Sequence, residues 1–125
     1  MAGSSHIVHG IDHVQLAMPE GREEEAVAFF VGVLGFEQLV KPPILAARGG
    51  CWFRSGGAEV HLGVERPFAP ARKSHVALRI SGFDALCHRL EEAGVVVEAN
   101  DEIPGVRRAH TADPFGNRLE LVSAD

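Results

Sequence analysis

The sequence predicts an α+β fold of two tandem βαβββ modules, forming a curved mixed sheet with helices on its outer face. Three observations carry that expectation. Two amphipathic helical segments each end at a glycine, four apolar segments alternate with period two, and the halves of the chain repeat at a spacing of about 60 residues. At 125 residues the chain suffices for one compact core. It is therefore read as a single domain, 1–125, with module 1 about 7–66 and module 2 about 72–123.

The first helix is expected over about 22–34. Ala26, Phe29, Phe30, Val33 and Leu34 make its apolar stripe, Glu23, Glu24 and Glu25 suit the positive end of its dipole, and Gly35 stops it. The second, about 83–93, has Phe83, Leu86, Cys87, Leu90 and Ala93 as its stripe. Ser81 with Asp84 resembles a capping box at its start, and Gly94 ends it. In the alternating segments Val14, Leu16 and Met18 oppose His13 and Gln15, and Val60, Leu62 and Val64 oppose Glu59 and His61. Likewise Val76, Leu78 and Ile80 oppose His75 and Arg79, and Leu119 and Leu121 oppose Arg118 and Glu120. The apolar rows suit packing under helices, which leaves the polar rows on the other sheet face.

His13 and Val14 match His75 and Val76 at an offset of 62, while Gly35 matches Gly94 and His61 matches Glu120 at 59. A three-residue difference around Pro19 to Glu25 reconciles the two offsets. Each copy reads strand, helix, strand, strand, strand, and the Pro67 to Lys73 segment is the connection.

Composition narrows the function. A hydrophobic share of 46% with 23% charged residues is that of a globular protein. The net charge of −5 and the absence of any basic run beyond Arg107-Arg108 exclude a nucleic-acid footprint. No apolar run approaches the roughly 18 residues of a spanning helix, and no signal pattern opens the chain, so a cytoplasmic protein is expected. Cys51 and Cys87 lack a CxxC spacing, and both are read as free thiols.

A lone inward histidine is usually a satisfied polar residue, but here three histidines and a glutamate occupy repeat-related inward positions. Folding two equal units about a pseudo-twofold axis would gather His13, His61, His75 and Glu120 on one divalent ion. Imidazoles with a carboxylate suit Ni, Co, Zn, Mn or Fe(II).

These residues resemble the vicinal oxygen chelate superfamily, the glyoxalase, bleomycin-resistance and extradiol-dioxygenase group. The resemblance runs from Ile11-Asp12-His13-Val14 through Phe29-Phe30 and Leu34-Gly35-Phe36 to Asp113-Pro114-Phe115-Gly116-Asn117-Arg118-Leu119-Glu120-Leu121, the last being the most specific. It implies metal ligands on the first and last strands of each module, with Glu59 the rival of His61 for the second position. It also implies a homodimer, a small-molecule substrate, and an ion that stabilises an enediolate-type anion while Glu59 or Glu120 shuttles a proton.

A glyoxalase-like lyase or isomerase is the first reading. Ala17 and Glu65 stand where glutathione-dependent members carry arginine and asparagine, which argues against that co-substrate. A fosfomycin-type thiol transferase would use His13, His75 and Glu120, but the chain ends at Leu121-Val122-Ser123-Ala124-Asp125 without the basic tail of those relatives. A dioxygenase would be crowded by His61 as a fourth ligand. The reading from a different class is an antibiotic-resistance or ligand-sequestering protein without turnover. Substrate-binding candidates are Arg48, Arg54, Arg79 and Arg108, which suit an anionic group, together with Trp52 and His110. Trp52 and Phe53 point to opposite faces of one strand, so one should line the cavity and the other pack under a helix.

Overall fold

The computed structural model describes residues 5–125. In module 1, β1 (Val14–Met18) leads to α1 (Glu23–Val27), which widens into a π-helical stretch (Ala28–Val33). Then follow β2 (Glu37–Leu39), a short α2 (Pro43–Ala46), β3 (Cys51–Ser55) and β4 (Ala58–Val64). Module 2 repeats the order with β5 (Val76–Ile80), α3 (Phe83–Glu92), β6 (Glu98–Asn100), β7 (Arg108–Ala112) and β8 (Arg118–Ser123).

Each module forms one four-stranded mixed sheet, ordered β1-β4-β3-β2 and β5-β8-β7-β6. In both, the first strand pairs in parallel with the last, and the remaining pairs are antiparallel. The repeat read from the sequence is thus a repeat of topology, and the α+β, tandem βαβββ fold is the one observed.

The first helix differs from expectation in its winding. Consecutive Phe29 and Phe30 are both buried, and the wider coil turns two neighbouring rings inward where a tight helix would splay them. Phe30 stacks on Phe53 at 5.0 Å and meets Phe36 edge-on at 5.9 Å, so the helix is anchored to β3 by aromatic contact. The capping box is corrected. Gly82, at φ +74°, takes the N-cap of α3, so Ser81 lies one residue too early to cap it. The carboxylate of Asp125 does that work instead, accepting from the backbone N–H groups of Gly82 and Phe83 at 3.0 Å each, while Asp84 pairs with Arg107.

Two close approaches require glycine. A Cβ on Gly50 would stand 2.1 Å from the carbonyl oxygen of Leu62, and one on Gly116, at φ +90°, would press on Pro70. Gly116 belongs to the Asp113–Asn117 turn, which joins the modules. Asp113 Oδ1 accepts from the N–H groups of Phe115 and Asn117 at 2.9 Å each, and Asp113 Oδ2 accepts from Asn117 Nδ2 at 2.7 Å. The second hydrogen of Asn117 Nδ2 goes to the carbonyl of Ala17 on β1, 2.8 Å away. Arg22 lies over the Phe115 ring at 5.2 Å, and Arg89 donates to the carbonyl of Gly32 at 2.7 Å. The most specific stretch of the sequence is therefore a clasp between modules. Asn117→Ala should lower unfolding free energy by about 1–3 kcal/mol, since it removes the side-chain hydrogen bonds to Asp113 Oδ2 and to the Ala17 carbonyl. Urea denaturation checks this, and an unchanged midpoint would remove the clasp from the account.

Candidate metal centre

Module 1 gathers His13, Glu59 and His61, whose ligand atoms all lie within 4.8 Å of one another. Parallel pairing of β1 with β4 sets Gln15 opposite His61, which brings His13, two residues before Gln15, to the same face. His13 Nδ1 is 2.8 Å from Asp12 Oδ2. A carboxylate only accepts, so Nδ1 carries the proton and Nε2 is left with its lone pair, the arrangement common behind metal-bound imidazoles. His61 is buried at 5% exposure, sandwiched between Trp52 at 4.3 Å and His13 at 4.0 Å. Its Nε2 donates to Glu59 Oε2 at 2.7 Å, and Glu59 Oε1 takes Arg54 Nη2 at 3.0 Å. The His61 hydrogen bond, then that of Arg54, holds the Glu59 carboxyl below the usual carboxylate range.

Module 2 gathers His75, His110 and Glu120 within the same 4.8 Å limit. His75 Nδ1 donates to the carbonyl of Lys73 at 3.0 Å, so Nε2 faces Glu120 Oε1, 2.9 Å away. His110 stands directly opposite Glu120 in the β7–β8 ladder, with Nε2 3.6 Å from the same Oε1. Arg108 Nη1 holds the other oxygen, Oε2, at 3.1 Å. Glu120 is kept below the usual carboxylate range, first by the His75 hydrogen bond and then, against the opposing effect of burial, by Arg108. The modules thus share one device, a glutamate with one oxygen on an arginine and the other facing a histidine. Two imidazoles and an ionised carboxylate are a donor set that fits a borderline divalent ion.

The four ligands named from the sequence fall into two pairs. His13 and His61 line a cavity of about 590 Å³, His75 and Glu120 one of about 560 Å³, and the two share no lining residue. One chain by itself does not gather all four. Of the substrate-binding candidates, Arg48 and Trp52 line the first cavity and Arg108 and His110 the second, while Arg54 reaches the first through Glu59. Arg79 lines a different groove with Leu34, Phe36 and Leu86. Trp52 faces the cavity and Phe53 packs under the first helix.

Sequence reasoning missed Asp12 and the Lys73 carbonyl as orienting partners, and the convergence of His110 on Glu120. Asp12 was legible from its adjacency to His13. The place of His110 follows only once the Asp113–Asn117 turn fixes the hairpin register. Cys51 is buried and its thiol is pushed up to about 11 by burial, so it is an inert core residue. Both cysteines are free, and no helix among the described residues is long and apolar enough to cross a membrane.

The chain as a whole is similar to several known proteins. A glyoxalase family protein from Bacillus anthracis is 42% identical, with 98% of this chain and 100% of that chain covered and a TM-score of 0.92. TnmS3, an antibiotic binding protein from Streptomyces sp. CB03234, is 29% identical over 94% and 100% of the chains, with a TM-score of 0.67. The fosfomycin resistance protein FosX from Listeria monocytogenes shares the fold at 16% identity, with 95% and 96% covered and a TM-score of 0.75. A search of curated proteins found no match. The model of the Glyoxalase/Bleomycin resistance protein/Dioxygenase superfamily matches residues 10–121, and the chain belongs to that superfamily.

Proposed function

We propose that the protein is a metal-dependent lyase or isomerase, acting on a small substrate that chelates an ion through neighbouring oxygens. The observation that carries this is the pair of two-histidine, one-carboxylate groups, each latched by an arginine. Such an ion would supply Lewis-acid stabilisation of negative charge developing on substrate oxygen. His13, His61, His75 and Glu120 hold it. Glu59, kept ionised at neutral pH and two residues from His61, accepts the proton from the carbon beside the substrate carbonyl. Arg48 and Arg108 at the cavity walls take an anionic substrate group, and Trp52 covers its apolar part.

Since the four ligands lie in two cavities of one chain, the complete site is formed between two chains, module 1 of one facing module 2 of the other. Exposed apolar side chains support such pairing. Val8, Ile11 and Val40 are 84%, 81% and 94% exposed, apolar surface that a second chain would cover. The reading that competes is ligand sequestration without turnover, favoured by the likeness to an antibiotic binding protein.

Metal content per chain after gel filtration, read by plasma mass spectrometry, separates these readings. Wild type should carry near-stoichiometric Ni, Co, Zn, Mn or Fe, His61→Ala should lose it, and Glu59→Ala should keep it while losing turnover of dicarbonyl or epimerase substrates. A wild type that neither carries metal nor takes it up on reconstitution would leave the sequestering reading.

Mixing addresses the shared site. Unfolded and refolded together, His61→Ala and Glu120→Ala chains should recover about a quarter of the wild-type tight metal sites, because half of random dimers are mixed and each has one intact site. A site built within one chain would recover nothing.

A further inference from the structure

We infer that module 2 holds a divalent ion by itself, through Nε2 of His75, Nε2 of His110 and Oε1 of Glu120, before module 1 contributes a ligand. This rests on the reading that the chain takes such an ion, and it adds His110 as a donor and an order of assembly.

The two groups of donors are not equally ready. Two ligand atoms each about 2.1 Å from one ion stand roughly 3.0–3.4 Å apart when they subtend octahedral to tetrahedral angles. The separations around Glu120 Oε1 are 2.9 Å to His75 and 3.6 Å to His110, which bracket that range. The His75 and His110 rings are inclined at 75°, so their in-plane lone pairs can meet at a point. Each group is also held from behind. The Lys73 carbonyl holds Nδ1 of His75 and so orients its ring, and Arg108 occupies the far oxygen of Glu120, which leaves Oε1 as the single ligating atom.

In module 1 the His13 and His61 rings are stacked at 4.0 Å with only 16° between their planes. An imidazole lone pair lies in its ring plane, and an ion at bonding distance in one of these planes is a stacking distance out of the other. His61 Nε2 is moreover committed to Glu59 at 2.7 Å. Module 1 therefore has to turn a ring and release a hydrogen bond before both histidines bind one ion. Module 2 also gives up a hydrogen bond, that of His75 to Glu120, but it has no ring to turn, and His110 occupies the place that module 1 gives to Trp52, each lying opposite the ligand on the last strand.

Cobalt(II) titration of the full-length His13→Gln/His61→Gln double variant tests this, read by visible absorption of the bound ion. The expected result is one cobalt per chain at saturation, bound more weakly than by wild type. Adding His110→Gln should weaken that binding by more than about tenfold with thermal melting unchanged. If wild type takes up cobalt and the double variant does not, or if His110→Gln has no effect, this inference fails and the proposed function stands. If wild type itself takes up none, both fail. A second measurement uses wild type alone. At substoichiometric zinc, the imidazole NMR signals of His75 and His110 should shift first, and earlier movement of His13 and His61 would overturn the order.

Discussion

Parallel pairing of the first and last strands of each module sets the positions of His13, His61, His75 and Glu120. β1 runs beside β4 and β5 beside β8, so residues more than forty positions apart share one sheet face. Because side chains alternate with period two, a one-residue slip of either pairing would send His61 or Glu120 to the helix side and bring Val60 or Leu119 into the cavity. The register is protected from the other face. Val60, Leu62, Leu119 and Leu121 are all at most 1% exposed beneath the helices, and moving them into water would forfeit roughly 1.5–3 kcal/mol each. The core thus holds the polar face in place, although it touches none of the chemistry.

Much of this was legible in the sequence because it rests on period and repetition. The alternation of His61 with Val60 and Leu62, and of Glu120 with Leu119 and Leu121, names the inward face without any structure. The glycines after each helix and the repeat offsets then supply the topology. What was not legible depends on three-dimensional closure. The π-helical winding around Phe29 and Phe30 follows from packing against Phe53, which period-3.6 reading cannot see. Asp125 caps α3 across forty-two residues, so a local capping pattern pointed to Ser81. The division of the four ligands between two cavities is of the same kind. A pseudo-twofold axis makes His13 equivalent to His75, and equivalence under symmetry is different from proximity.

The modules also diverge in a way the repeat hides. Opposite the last-strand ligand, module 1 places Trp52, which stacks on His61 and shields it, while module 2 places His110, which faces Glu120 with a donor atom. One position has been used for packing in one copy and for chemistry in the other. Inherited symmetry explains why the halves share an arginine-latched glutamate, and this difference explains why they are not interchangeable.

The arginines bear on what such a site would do with a substrate. Arg108 neutralises Glu120 and Arg54 neutralises Glu59, so each glutamate is already paired before any ion arrives. The carboxylates therefore cancel little of the charge of a divalent cation, and the histidines cancel none. Among the described residues, Asp12 beside the first group is 91% exposed and is spent on orienting His13, while Glu98 and Glu102 at the wall of the second cavity are offset there by Lys73, Arg108 and Arg118. A site assembled from these parts retains net positive charge in a cavity with partly apolar walls, where charge is screened less than in water. That residual charge is matched best by a substrate oxygen that becomes anionic during reaction, which is the electrostatic requirement of proton abstraction beside a carbonyl.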